Sequence, residues 1–240
     1  MKTVAIIQAR MGSTRLPGKI FEDIAGKSML ERTVERVRRS ALIDETVVAT
    51  TEKPEDDAIV AWCKRYGIGC IRGVEEDVLD RYRKAAEETQ ADVVVRITSD
   101  CPLIDPEIID RVLSEFHETN CDFASNSLER SYPRGLDCEV IRRSALERAA
   151  MEATTKRERE HVTPYLFDHP EIFAIRSVVH DMDLSSHRWT VDTVEDLTLV
   201  RTIYDTLGAD GAFGWQDALQ LLRDHPEWVA INAHIEQKIL

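Results

Sequence analysis

Three cations and two glycines crowd into a short stretch near the start of the chain: Arg10, Gly12, Arg15, Gly18 and Lys19, with Ser13 and Thr14 between them. Glycines let a backbone pass close to a ligand, and exposed N–H groups beside Arg and Lys suit a polyanion. The stretch follows Val4-Ala5-Ile6-Ile7, an apolar run that reads as a buried strand. Open α/β sheets bind nucleotides at loops of this kind, where a parallel strand ends. Ala9 to Lys19 is therefore a phosphate-binding candidate, with a basic surface turn as the plainer alternative. It is not a Walker A loop. Five residues separate Gly12 from Gly18-Lys19 where that motif has four, and Ile20 stands where Ser or Thr should meet magnesium.

Two aspartates match this loop in chemistry. Asp100 follows Val93-Val94-Val95-Arg96-Ile97-Thr98-Ser99, and Asp192 follows Arg188-Trp189-Thr190-Val191, so each ends a predicted strand. The C-terminal ends of parallel strands converge on one edge. Two carboxylates there can share Mg2+ with a triphosphate, because that ion takes one or two carboxylates plus phosphate oxygens and water. Capping of the following helix is the competing role. Asp105 is the better cap after Asp100, and Thr193 with Asp196 makes a capping pair after Asp192. Asp181-Met182-Asp183 has the D-x-D spacing of metal-dependent glycosyltransferases, but in so acidic a chain it reads as a solvated loop. Arg72-Gly73 with Asp77, Asp80 and Arg81, then Gly135-Leu136-Asp137-Cys138-Glu139, then Glu160-His161, form a further polar set to which spacing assigns no role.

Bulk properties narrow the partners. The 240 residues carry a formal charge of −13, which disfavours a nucleic-acid backbone. Residues 1–39 nevertheless hold nine Lys/Arg against four Asp/Glu, which fits a small anion held locally. No apolar run reaches the roughly 20 residues of a membrane span, and Met1-Lys2-Thr3 leaves no room for a signal peptide. The five cysteines form no C-x-x-C pair and read as small buried hydrophobes in a reducing cytoplasm.

Strands and helices alternate through the first half. Strands are expected at 3–9, 45–50, 68–71 and 92–98, with helices over 28–39, 54–66, 77–89 and from Asp105-Pro106 to Thr119. The second half predicts strands at 121–125, 136–141, 173–179 and 187–191. Its helices are expected at 144–152, 155–168 and from Thr193 to Leu207, with one or two more from Gly214. This pattern predicts a mostly parallel, doubly wound α/β sheet in a single domain, 1–240.

Taken together, these motifs resemble the sugar cytidylyltransferases, which include the CMP-KDO synthetases and acylneuraminate cytidylyltransferases, and most closely the spore coat polysaccharide F group. The resemblance rests on Ile7 through Lys19, Arg72-Gly73 through Tyr82, Ser99 through Ile104, Gly135 through Val140, Glu160 through Thr163, and Arg188 through Thr193. It runs in order from residue 4 to about 197. It implies a nucleotide-diphospho-sugar transferase fold and magnesium-dependent transfer of CMP from CTP to a sugar acid or sugar phosphate, releasing pyrophosphate. It implies that the loop, Ala9, Arg10, Met11, Gly12, Ser13, Arg15 and Lys19, holds the nucleotide together with Arg72, Gly73 and Arg81. It implies that Asp100 and Asp192 carry the metal, that Arg15, Lys19, Asp100 and Asp192 are catalytic, and that Gly135, Asp137, Glu139 and His161 face the sugar. A cytoplasmic homodimer serving cell-surface polysaccharide synthesis is also implied. Gln8 replaces the proline of the KDO and sialic-acid enzymes, and Arg134 before Gly135 allows for an extra anion on the acceptor. The rival readings are a glycosyltransferase built on Asp181 and Asp183, and a non-catalytic nucleotide-binding domain.

Overall fold

The computed structural model describes residues 1–237. β1 (Thr3–Gln8) is the expected first strand, fully buried up to Ile7. After its loop a small ribbon, β2 (Asp23–Ile24) and β3 (Lys27–Ser28), leads into α1 (Met29–Val37), whose N-cap Ser28 accepts the Glu31 N–H at 3.2 Å. The ribbon is too short to show a period, and the sequence reading misses it. β4 (Glu45–Thr51), α2 (Asp57–Tyr66), β5 (Gly69–Gly73), α3 (Val78–Glu88) and β6 (Val93–Thr98) follow in the expected alternation. α4 (Pro106–Thr119) starts at Asp105 as predicted: its carboxylate accepts the Glu107 N–H at 2.9 Å, and proline takes the first helical position, where no N–H is needed. The chain then forms β7 (Phe123–Ser125), β8 (Glu139–Arg142), α5 (Arg143–Glu152), α6 (Lys156–His161), α7 (Pro164–Phe167) and β9 (Ile175–Ser177). It closes with α8 (Val194–Leu207), α9 (Trp215–Asp224) and α10 (Pro226–Val229).

Seven strands make one sheet in the order β5-β4-β1-β6-β8-β7-β9. Only β8 runs against its neighbours; the remaining pairs are parallel. From β1 the chain moves outward to β4 and β5, then returns to place β6 on the other side of β1. The crevice above the C-terminal ends of β1 and β6 is therefore a topological switch point, where doubly wound sheets bind ligands. Alternate residues of β1 feed two apolar layers. Ala5 and Ile7 pack with α1, α2, α4, α8 and α9, while Val4 and Ile6 pack with α3, α5 and α7.

Four expectations in the second half need correction. Leu136 to Cys138 is not strand, because the Asn126 side chain takes its polar groups: Nδ2 donates to Leu136 O at 2.7 Å and Oδ1 accepts Cys138 N–H at 2.9 Å. His187 to Val191 is not a strand either. Its strand-like pairing is limited to a bridge to Arg134, and Val191 N–H bonds Asp100 O at 2.8 Å, so it crosses the end of the sheet instead of extending it. The predicted 155–168 helix breaks at Val162, which has φ of 73°, since Pro164 cannot continue an α-helix begun before it. The expected 173–179 strand shrinks to three residues.

One buried ion pair ties the layers around α1. The Arg36 guanidinium donates to Ile104 O (2.6 Å), to Gly211 O and Phe213 O (3.1 Å each) and to Asp105 (3.1 Å), with both side chains 2% exposed. Burial pushes the Asp105 carboxyl up, and Arg36 draws it back. Arg36→Ala strands a buried carboxylate and three carbonyls, and we expect it to cost about 3–5 kcal/mol. Urea unfolding checks this, and a loss below about 1 kcal/mol would exclude the pair as a keystone.

Candidate active site

The loop after β1 is pinned from below. Met11 O accepts both Ser13 N–H (2.8 Å) and Gly18 N–H (3.2 Å), folding the loop back on itself. Asp56, buried at the start of α2, accepts Met11 N–H at 2.7 Å. Lys19 then begins a short 3-10 turn that buries its stem, and its ammonium lands at the switch point. There Nζ donates to Asp100 at 3.0 Å, to Asp192 at 2.9 Å and to Val191 O at 2.7 Å. Arg15 reaches Asp192 at 2.8 Å.

Asp100 comes from the end of β6. Asp192 arrives on the crossing segment, held beside it by Val191 N–H and by the Thr190 hydroxyl, which donates to Asp100 O at 3.2 Å. Behind Asp192 stands a second buried group. Arg188 donates to Asp192 (2.8 Å) and to the fully buried Asp196 (2.9 Å), which also accepts Asn232 Nδ2 at 2.8 Å and the Asp192 and Thr193 N–H groups. Thr193 caps α8 in a reciprocal box with Asp196, so Asp192 is left free of capping duty. Arg188 and Asp196 had no assigned part in the site. Their signal is the spacing Arg188, Asp192, Asp196, four residues apart each time.

The charges balance locally: Arg15, Lys19 and Arg188 face Asp100, Asp192 and Asp196. Burial alone would lower the Lys19 pKa, but Asp100 and Asp192 outweigh it and hold the ammonium above its ordinary value of 10.5. Burial would raise Asp100, but Lys19 and the Thr98 hydroxyl hold it below 3.8. Both are ionised at neutral pH, and Asp100 and Asp192 are the carboxylates available to a metal ion. Among the described residues, His, Cys, Asp and Glu form no group of three or more suited to a metal.

A cavity of about 300 Å³ opens here. Its charged end is Arg10, Gly12, Ser13, Arg15, Lys19, Asp100 and Asp192, with Ala9 at the rim of β1. Its far wall is Gln8, Val78, Arg81, Thr98, Glu160 and His161. Gly73 matters indirectly: a Cβ there would stand 2.7 Å from the Arg81 Cγ, so glycine makes the room through which Arg81 reaches the wall. Arg81 Nη1 is braced on Val74 O (2.6 Å) and Glu75 O (2.9 Å). Burial lowers the His161 pKa; Glu160 opposes this, while Arg96 and Arg157 reinforce it.

Other residues from the sequence reading stand outside this lining. Met11 contributes backbone, and Arg72 is engaged with Thr51 O, Lys53 O and Asp57. Asp137 pairs with Arg130, and Glu139 with Arg96 and the Thr163 hydroxyl. Gly135, at φ 102°, packs where a Cβ would be 2.6 Å from the Trp189 backbone, clamping the crossing segment. Arg134 lines a different cavity beside His187 and Trp189. Asp183 accepts Ser185 N–H at 2.9 Å in an exposed loop.

The sequence pattern of the cytidylyltransferases matches residues 4–206. The chain belongs to the cytidylyltransferase family. It is 33% identical to spore coat polysaccharide biosynthesis protein SpsF of Bacillus subtilis, over 92% of this chain and 94% of that protein. A solved cytidylyltransferase from Leptospira borgpetersenii superposes with a TM-score of 0.91 at 33% identity, covering 100% of this chain and 99% of that one. A CMP:2-keto-3-deoxy-manno-octonic acid synthetase solved with CTP shares the fold, with a TM-score of 0.66 at 22% identity over 86% of this chain and 100% of that chain. The fold is thus the nucleotide-diphospho-sugar transferase type.

The Lys19 cluster fixes the sign of a pH dependence in this member of the family. Asp100, held below 3.8, stabilises above that pH and loses its contribution as pH falls through its folded value. Lys19, held above 10.5, stabilises below that pH and loses its contribution as pH rises through its folded value. The cluster's contribution is therefore flat from about pH 5 to about pH 9. Lys19→Met leaves Asp100 with burial and no ammonium, so its pKa rises. The variant should gain stability on going from about pH 7 to about pH 5, relative to wild type, in urea titrations. An unchanged pH dependence would refute the assignment.

Proposed function

We propose that this chain transfers CMP from CTP to a sugar acid or sugar phosphate, releasing pyrophosphate, in the synthesis of a cell-surface polysaccharide. The observation that carries the reading is the pairing of a cationic glycine loop with two carboxylates across one switch point, in a chain of the cytidylyltransferase family. The relative named for spore coat polysaccharide biosynthesis and the fold relative solved with CTP support the substrate classes.

In this reading an acceptor oxygen attacks the α-phosphorus of CTP, and the bond to the β-phosphate oxygen breaks. Such transfers depend on charge neutralisation and in-line positioning. Arg15 and Lys19 give the leaving pyrophosphate its counter-charge, and Arg10, Gly12 and Ser13 bind the phosphates alongside them. Gln8, Arg81 and the α3 and α6 ends exclude water from the other wall.

Asp100 and Asp192 fit Mg2+: both are oxygen donors, and an ammonium already stands where a cation is favoured. A triphosphate would enter a cluster whose own charges cancel, so the incoming charge needs a further cation. When bound, Mg2+ would supply electrophilic activation of the phosphate and a hard cation for its oxygens. The same proposal includes a cytoplasmic homodimer of single-domain subunits.

Pyrophosphate release is the direct test, with each nucleoside triphosphate against a panel of sugar acids and sugar phosphates. Release should require CTP, cease on chelation of divalent ions and return with Mg2+. Asp100→Asn should lower the rate by about 10³-fold or more. Undiminished turnover in that variant, or release with UTP alone, would overturn the proposal.

A further inference from the structure

A second cavity, of about 180 Å³, is bounded by residues 185–189 on one side and by α8, α9 and α10 on the other. None of its lining residues is Asp or Glu, in a chain that has 44 of them. The polar part of the wall is Arg134, Ser185, Ser186, His187 and Arg188. The apolar part includes Leu199, Leu222 and Val229, one from each of the three helices.

Hydrogen-bond acceptors are already spent around this cavity. The carbonyls of Arg134, His187 and Arg188 take the N–H groups of Trp189, Arg134 and the Asn232 amide. Gln237 Oε1 takes Arg188. The Trp189 indole N–H is buried with no acceptor among the described residues. The cations differ in how they are matched. Arg188 is held by Asp192 and Asp196, and Arg130 by Asp137. Arg134 is half-buried and makes no ion pair among the described residues. Burial and the charges of Arg130 and Arg188 all work against its ionised form, with Asp137 opposing them. Arg223 adds positive charge near His187. Guanidinium only donates, so an anion is the complement that this wall lacks.

We propose that this cavity is a second ligand site, separate from the one at the switch point, and that it takes a small organic carboxylate on Arg134 with its hydrocarbon end against Leu199, Leu222 and Val229. The volume is below that of drug-sized pockets and equals about six waters at about 30 Å³ each, so the ligand is a short-chain acid. A planar carboxylate matches the guanidinium fork, and the hydroxyls of Ser185 and Ser186 are further donors on the same wall. The apolar wall favours carbon over a fully hydrated inorganic anion. Arg134 then serves this ligand and not an extra anion on the acceptor.

His187 lines this cavity and His161 the larger one, so their ring signals in proton NMR report on the two separately. Sodium butyrate, titrated into the full chain at constant ionic strength, should shift the His187 signals to saturation and leave those of His161 in place. Acetate is two CH2 groups shorter and should need about tenfold more, from about 0.8 kcal/mol per buried CH2. Arg134→Gln should need about tenfold more butyrate than wild type, and Arg134→Lys, which keeps the charge but loses the fork, should fall between them. The Arg134 side chain has no ion pair to lose, so both variants should fold, and far-UV circular dichroism checks this. Four results would each overturn the site: no saturable shift at His187, a shift at His161 in its place, a response to inorganic phosphate without one to butyrate, or equal half-saturation in wild type and folded Arg134→Gln.

Discussion

The position of the Lys19 ammonium governs the rest of the site. Two carboxylates are brought to one edge of the sheet, one from the end of β6 and one from the segment before α8, and both are partly buried. Left alone they would repel and draw up protons. Lys19 resolves this by reaching 81 residues forward to Asp100 and 173 to Asp192, so the first loop is tied to two distant parts of the chain. The balance with Arg15 and Arg188 keeps this cluster close to neutral.

The sheet topology explains why this cluster sits where it does. Returning from β5 to β6 across β1 opens a crevice between two parallel strands, with the glycine loop on one side and Asp100 on the other. β8, the one strand of this sheet that runs against its neighbours, sets Glu139 opposite Arg96. β6 carries Thr98 on the far wall and leads into Asp100 at the other end of the cavity.

Apart from the short β2–β3 ribbon, the first half of the fold was legible because its elements obey local rules. Apolar strands alternate with amphipathic helices, and Asp105 caps α4 as predicted, while Ser28 and Asp77 cap α1 and α3. The second half was harder because nonlocal pairings override propensity. Leu136 to Cys138 looks like a strand until the Asn126 amide claims its backbone, and Thr190-Val191 spends its hydrogen bonds on Asp100. Lys19, Asp100 and Asp192 stood out by residue type and position. Arg188, Asp196 and Asn232 did not, since their parts depend on where the chain crosses the sheet end.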